Sequence, residues 1–113
     1  MSDCIFCKLA NGDIPTDMVY EDELIAVFRD AAPQAPVHML MVPKIHVASL
    51  DDLTADHAEL MAHMMLKIKD VCAQEGLENG YRCVINTGED GQQTVKHLHI
   101  HILGKRAMQW PPG

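Results

Sequence analysis

Six consecutive positions, His97-Leu98-His99-Ile100-His101-Ile102, alternate an imidazole with an aliphatic side chain. An extended strand turns successive side chains to opposite faces. Three histidines therefore share one face and Leu98, Ile100 and Ile102 share the other. A helix would scatter the same imidazoles round its cylinder and leave no apolar stripe. The spacing predicts a strand over 94–104 with a core face and a chemical face, and the rest of the chain must cover the first.

Residues two apart on a strand lie roughly 7 Å apart at Cα, and the outer pair roughly 13 Å apart. Metal–imidazole bonds are only about 2 Å long, so one ion reaches two of the three at most. The row is better suited to an extended polar substrate. Neutral imidazole is a nucleophile, and an ordinary pKa of about 6.5 leaves much of it uncharged near pH 7. Its phosphoryl adducts are labile enough for water to open them in a second step. His99, flanked on both sides, is the candidate nucleophile, with His97 and His101 placed to fix its tautomer or donate to phosphate oxygens. The loop Gly88-Glu89-Asp90-Gly91-Gln92-Gln93-Thr94 offers backbone N–H groups, two amides and a hydroxyl, which together could surround a phosphate.

Cys4-x-x-Cys7 supplies half of a tetrahedral zinc site, and His46 and His97 are the candidates for the other half. A redox pair and two partly buried thiols are the competing readings. Cys72 and Cys83 read as core residues, and His57 and His63, at a non-facing spacing on a helix, as solvent residues.

A chain of 113 residues is expected to form a single domain over 1–113. Its net charge of −7 argues against a nucleic-acid binder, which needs a basic face. An anionic substrate would have to be held by local donors rather than by the overall field. No apolar run approaches the roughly 20 residues of a membrane span, and no leader peptide is visible, so a cytoplasmic location without membrane attachment is expected. Four cysteines in that setting read as thiols or metal ligands, not disulfides.

Residues 4–10 read as a short helix closed by Asn11-Gly12. Strand-like runs follow at 17–21 and 23–29 around a turn at Asp22, the second run covered on both faces. Pro33 and Pro36 mark a loop, and 37–42 form a third strand ended by Pro43. Residues 54–75 form the only long helix, with Thr54 as N-cap and Gly76 beyond its end. Its apolar stripe is Leu60, Met64, Ile68, Val71 and Cys72, widened by Met61 and Met65. A fourth strand is expected over 81–86. The order predicts an α+β fold, a five-stranded antiparallel sheet with one long and one short helix, the helices covering the face lined by Leu98 and Ile100.

The motif His-φ-His-φ-His-φ-φ at 97–103 resembles that of histidine-triad proteins, and the chain is similar to their Hint branch from Cys4 to Gly113. Ile5-Phe6-Cys7-Lys8, residues 23–29, Pro33-Gln34-Ala35-Pro36, Val42-Pro43-Lys44, Gly80-Tyr81-Arg82, Asn86 and the closing Trp110-Pro111-Pro112-Gly113 carry the likeness. The resemblance implies a HIT-like fold whose sheets join across a homodimer. It also implies a purine nucleoside phosphoramidase that cleaves P–N bonds of AMP or GMP derivatives, aminoacyl-adenylate-type substrates included, with no organic cofactor. By position, His99 is the nucleophile and His101 contacts phosphate. Asp30 lies at the ribose, Phe6 and Leu40 near the base, and Asn86, Gln93 and Thr94 on the phosphate side, with Ala31 and Gln92 also among the nucleotide-binding residues. Trp110 would reach toward the partner's site. Cys4, Cys7, His46 and His97 resemble the set of a zinc-binding subset, which makes the zinc structural.

Three positions depart from the pattern: Thr94 stands for serine, Gln92 for a loop glycine, and Lys96 for an aromatic residue, placing a cation near the site mouth. The competing functional reading is a nucleotide-binding, zinc-stabilised adaptor with little catalytic role. A nucleotidyltransferase or dinucleoside polyphosphate hydrolase fits the short chain and its Trp-Pro-Pro-Gly end less well.

Overall fold

In the computed structural model, which describes residues 3–113, helix α1 (Ile5–Ala10) precedes strands β1 (Met18–Glu21), β2 (Ile25–Arg29) and β3 (Val37–Pro43). Helix α2 (Ala58–Gln74) follows, then β4 (Tyr81–Val84) and β5 (Ile100–Gly104). The strands make one antiparallel sheet in the order β1-β2-β3-β5-β4, so β5 is inserted between β3 and β4. The α+β architecture expected from the element order is the one observed.

The sheet has two covered faces. On one, Ile25, Val27, Met39, Met41, Ile100 and Ile102 pack against the α2 stripe of Leu60, Met64, Ile68, Val71 and Cys72. On the other, Ala26, Phe28, Leu40 and Val42 pack against Phe6 and Ala10 of α1. The helices thus divide between the faces instead of sharing the Ile100 side. Alternation in β2 and β3 requires this, because both strands carry apolar residues at odd and even positions. Met61 packs at the margin of the stripe as expected, whereas Met65 is half exposed at 50%. Cys72 is core but Cys83, on the edge strand β4, is exposed.

The ends of α2 are set by sequence. Thr54 caps a 3-10 turn (Ala55–His57) through its hydroxyl, and the Thr54 N–H in return donates to the His57 ring nitrogen. That reciprocal box draws His57 out of solvent and starts the helix four residues later than the apolar pattern suggested. At the other end Gly76 has φ +75. The Leu77 N–H bonds to the Cys72 carbonyl and the Gly76 N–H to that of Ala73, a Schellman closure that buries Leu77. His63 is bonded as well, 2.7 Å from the Asp22 carboxylate, which also accepts from Tyr20 and the Leu24 and Ile25 N–H groups. Burial alone would raise the Asp22 pKa, but these four bonds outweigh it and hold the carboxyl well below its ordinary range.

The histidine segment is extended for only half the predicted length. β3 pairs with β5 from Val37↔Gly104 to Met41↔Ile100. Beyond that pair lies Pro43, which has no N–H to give. Its carbonyl accepts from the His97 ring instead, at 2.9 Å, while the Leu98 N–H turns to Val47. His97 and His99 therefore precede the ladder, and the fourth strand ends at Val84 rather than at 86.

Candidate active site and metal cluster

The sheet row Phe28–Leu40–His101–Val84, read from the registers, sets His101 beside Leu40 on the face that α1 covers. A cavity of about 530 Å³ opens there. It is lined by the apolar side chains of Phe6, Phe28 and Leu40, by Asp30 and Ala31, and by Asn86, Gln92 and Thr94. His99 and His101 both line it. Nine of the ten residues carried over as nucleotide-binding thus surround one space.

Gln93 is the exception. It is buried, its amide donates to the Ala48 and Val95 carbonyls, and its oxygen accepts from the Gly88 N–H. Its side chain fastens the loop and does not line the cavity. Lys96 does not line this space but borders an adjoining groove with Cys4 and His46, which shares Ile5, Thr94 and Val95 with it. Gln92, which stands for a glycine, has φ 64, the left-handed region that glycine enters freely. Gly91 beside it is packed so that a Cβ would meet the Thr87 backbone, 2.8 Å from its nitrogen.

His99 and His97 sit two residues apart, yet face different chemistry. The His99 Nδ1–H donates to the His97 carbonyl at 2.6 Å, which leaves the Nε2 lone pair free in the cavity. The Phe6 ring meets the His99 ring edge to face, with centroids 4.9 Å apart, and limits its rotation. His97 is tied the opposite way round. Its Nε2–H donates to Pro43, and Nδ1 points at Cys4 Sγ (3.2 Å) and Cys7 Sγ (3.4 Å). His97 is wholly buried, so the predicted row of three substrate-facing imidazoles is a row of two.

The third imidazole at the cavity comes from β3. His38 is buried, accepts the Gln34 N–H at Nδ1 (2.9 Å), and so carries its proton on Nε2. That Nε2 lies 2.9 Å from His101 Nδ1 and 3.4 Å from an Asp30 oxygen. His101 Nδ1 is therefore an acceptor, and its Nε2–H is the group available to a ligand. Burial, with His99 and His38 adding to it and Asp30 opposing, pushes His101 down to about 4. Burial also lowers His38, again against Asp30. Sequence reading missed His38, although a lone imidazole in the apolar run Val37-His38-Met39-Leu40 with the parity of Leu40 was a usable signal.

Asp30, His38 and His101 are close enough to suggest a metal triad, but a metal at His38 Nε2 would force the proton to Nδ1, against the Gln34 N–H. The better metal cluster is Cys4, Cys7, His46 and His97, whose donor atoms lie within 4.8 Å of one another. Cys7 Sγ is 3.4 Å from His46 Nδ1. A tetrahedral zinc with bonds of about 2.0–2.3 Å separates its ligands by roughly 3.3–3.8 Å, so the set needs little adjustment to close on an ion. Burial first, and then the Cys4 thiol beside it, push the Cys7 thiol up to about 11, so two thiolates here need a cation between them.

The family model for the scavenger mRNA decapping enzyme C-terminal binding region matches residues 3–110. A HIT-like protein of Synechococcus elongatus is 57% identical over 98% of this chain and 97% of its own length. The chain belongs to the histidine-triad (HIT) family. A 14 kDa zinc-binding protein of Zea mays is 46% identical, over 99% of this HIT chain and 89% of the maize one. The solved structure of a HIT family hydrolase from Legionella pneumophila superposes with a TM-score of 0.95 at 48% identity, covering 98% of this chain and all of that one. Among the described residues of this HIT protein, no helix is long and apolar enough to cross a membrane.

Proposed function

We propose that this HIT protein is a hydrolase of the Hint branch that cleaves the P–N bond of purine nucleoside 5′-phosphoramidates and, in aminoacyl-adenylate-type substrates, the P–O bond to the acyl group. The observation that carries the reading is the His99 ring orientation: Nδ1–H is held by the His97 carbonyl and Nε2 is turned to a nucleotide-sized cavity. A purine fits against Phe6 and Leu40, its ribose at Asp30 and Ala31, and its phosphate among Asn86, Gln92, Thr94 and His101.

His99 Nε2 attacks phosphorus, the P–N bond breaks, and water then opens the nucleotidyl-histidine. Two inversions give net retention. His101 is neutral in the free protein and serves as a hydrogen-bond donor to a phosphate oxygen through Nε2–H. An imidazolium at His101 would turn Nδ1–H against the His38 Nε2–H, so the leaving amine takes its proton from water. His38 positions His101 as the donor to phosphate.

Zinc held by Cys4, Cys7, His46 and His97 would be structural, since four protein ligands leave no place for water. The Nε2–H of His97 on the Pro43 carbonyl is the second bond that metal-bound imidazoles ordinarily make. We further propose a homodimer through the unpaired edge of β4, with exposed Tyr81 on that strand and Met65 and Leu66 on α2 as the apolar surface to be covered. All four cysteines are free, which accords with a reducing compartment such as the cytoplasm.

The test is release of a fluorescent amine from an AMP conjugate by wild type and His99→Ala. The variant should lose about three orders of magnitude or more in rate while still binding AMP. Acid-labile nucleotide mass should be trapped on the His99 peptide of wild type during turnover. Retention of most of the rate by His99→Ala would leave the adaptor reading standing instead. Sedimentation at micromolar protein checks the dimer, and a monomer there would exclude it.

A further inference from the structure

Two of the four donors in the Cys4, Cys7, His46 and His97 cluster are sulfurs, and neither sulfur is sealed from solvent. His97 alone is buried; Cys4 and Cys7 are half-buried and His46 is exposed. Cys7 lines a groove of about 650 Å³ with Lys8, Asn11, Lys44 and His46. Cys4 lines another, of about 400 Å³, with Ile5, Lys96 and His46. His46 is the one residue the two grooves share, so the thiols are approached from both sides of a single imidazole. A metal site that only braces the fold has no need of such access.

The two thiols are also placed to join each other. Cys4 is the N-cap of α1, and its sulfur accepts the Cys7 N–H at 3.3 Å. The Lys8 N–H bonds to the Cys4 carbonyl at 3.1 Å, so the turn between the cysteines is helical. Residues three apart on a helical turn lie roughly 5 Å apart at Cα, inside the range of about 4.4–6.8 Å that a disulfide spans. Both sulfurs lie within 3.4 Å of His97 Nδ1 and within 4.8 Å of each other, so side-chain rotation brings them to bonding distance with the backbone in place. By contrast, Cys72 is buried and Cys83 lies on the edge strand β4.

On the zinc reading given above, we infer that Cys4 and Cys7 are a reversible oxidation site for hydrogen peroxide, and that forming their disulfide discharges the metal the cluster holds. A thiolate held on a cation is already deprotonated and so is a nucleophile. The Cys7 thiolate, at the wider groove, attacks one peroxide oxygen. The O–O bond breaks, hydroxide leaves, and Cys7 becomes a sulfenic acid. The Cys4 thiolate then attacks the Cys7 sulfur, the S–O bond breaks, and a second hydroxide leaves as the S–S bond forms. The two sulfurs have lost two electrons and the peroxide has gained them. Only His46 and His97 remain as donors, half the set and without negative charge, and the ion departs. A dithiol reverses the change by reducing the disulfide.

The experiment adds hydrogen peroxide stepwise to the zinc-loaded protein beside a colorimetric zinc chelator, and maps the cysteines by mass after thiol blocking. Zinc should appear in proportion to a Cys4–Cys7 disulfide, up to one ion per chain, and dithiothreitol with added zinc should restore both thiols and metal. Cys83→Ser should release zinc at the wild-type rate, since that sulfur takes no part. Zinc that stays bound while peroxide is consumed at Cys83 overturns the inference. So does release with Cys7 as a sulfinic acid, which dithiothreitol cannot reverse, or with a disulfide through Cys83. Protein that neither carries zinc as purified nor binds it when supplied overturns the zinc reading itself, and this inference with it, before any oxidant is added.

Discussion

His97 and His99 are two residues apart, both buried, and both touched by the Phe6 ring, yet they belong to different chemistry. His97 gives Nε2–H to the Pro43 carbonyl and turns Nδ1 to two thiols. His99 gives Nδ1–H to the His97 carbonyl and turns Nε2 to the cavity. The difference lies in which ring nitrogen a backbone carbonyl claims, since neutral imidazole has one donor and one acceptor. One residue also serves both sites through separate groups: the His97 ring faces the two cysteines, and its carbonyl sets the His99 tautomer.

That division can be broken most forcefully at His97 itself. His97→Ala removes the ring but keeps the carbonyl. It should lower stability by on the order of 3–5 kcal/mol through the cavity and the lost metal, while costing far less rate than His99→Ala. Denaturant unfolding with and without a chelator, together with elemental analysis, checks it. Wild type should carry close to one zinc per chain, and less than a tenth of that would remove zinc from the account. A rate loss equal to that of His99→Ala would mean the two sites are not separable.

His38→Phe sharpens the catalytic side. Filling the position with a ring that has no donor should cost about tenfold to hundredfold in kcat, and nitrogen NMR should show His101 losing its single tautomer. An unchanged His101 spectrum would sink the positioning role.

The pH dependence of stability comes next in size. His101 titrates at about 4 in the folded chain, against about 6.5 when unfolded. Between those values the unfolded state binds more protons, so this group makes stability fall as pH drops from about 6.5 toward 4. His38, also lowered by burial, acts in the same direction. Urea midpoints at pH 7, 5.5 and 4.5 should decline in that order. A flat or rising series would contradict the burial of these imidazoles.

The smallest effect is expected at Gln92. Its left-handed backbone stores about 1–2 kcal/mol that Gln92→Gly would relieve, against about 0.4–1 kcal/mol of added unfolded-state freedom. A net rise in thermal midpoint of a few degrees is expected, and a fall would show the loop strain to be absent.

Much of this was legible in the chain. Alternation marked β2 and the histidine segment, helical spacing marked α2, and turn residues bounded the other elements, while Thr54 and Gly76 marked the ends of the helical region because capping is local chemistry. The cavity residues Phe6, Asp30, Leu40, Asn86, Thr94, His99 and His101 were named from pattern and resemblance. Met65, Cys83, His57 and His63 were misplaced, since apolar character or a gap in periodicity does not say what lies opposite.

Sequence by itself determined the α+β class, the parity of the histidine segment, and the four side chains able to gather round a metal. Tertiary structure decided the rest. It stopped β5 at Ile100, where the neighbouring strand reaches a proline without an N–H, and so freed the Pro43 carbonyl for His97. It brought His38 to His101 across a strand pair 63 residues apart. Alternation along a strand fixes which face a side chain takes. Which nitrogen of an imidazole is left free depends on the nearest carbonyl or N–H, and those groups come from residues far along the chain.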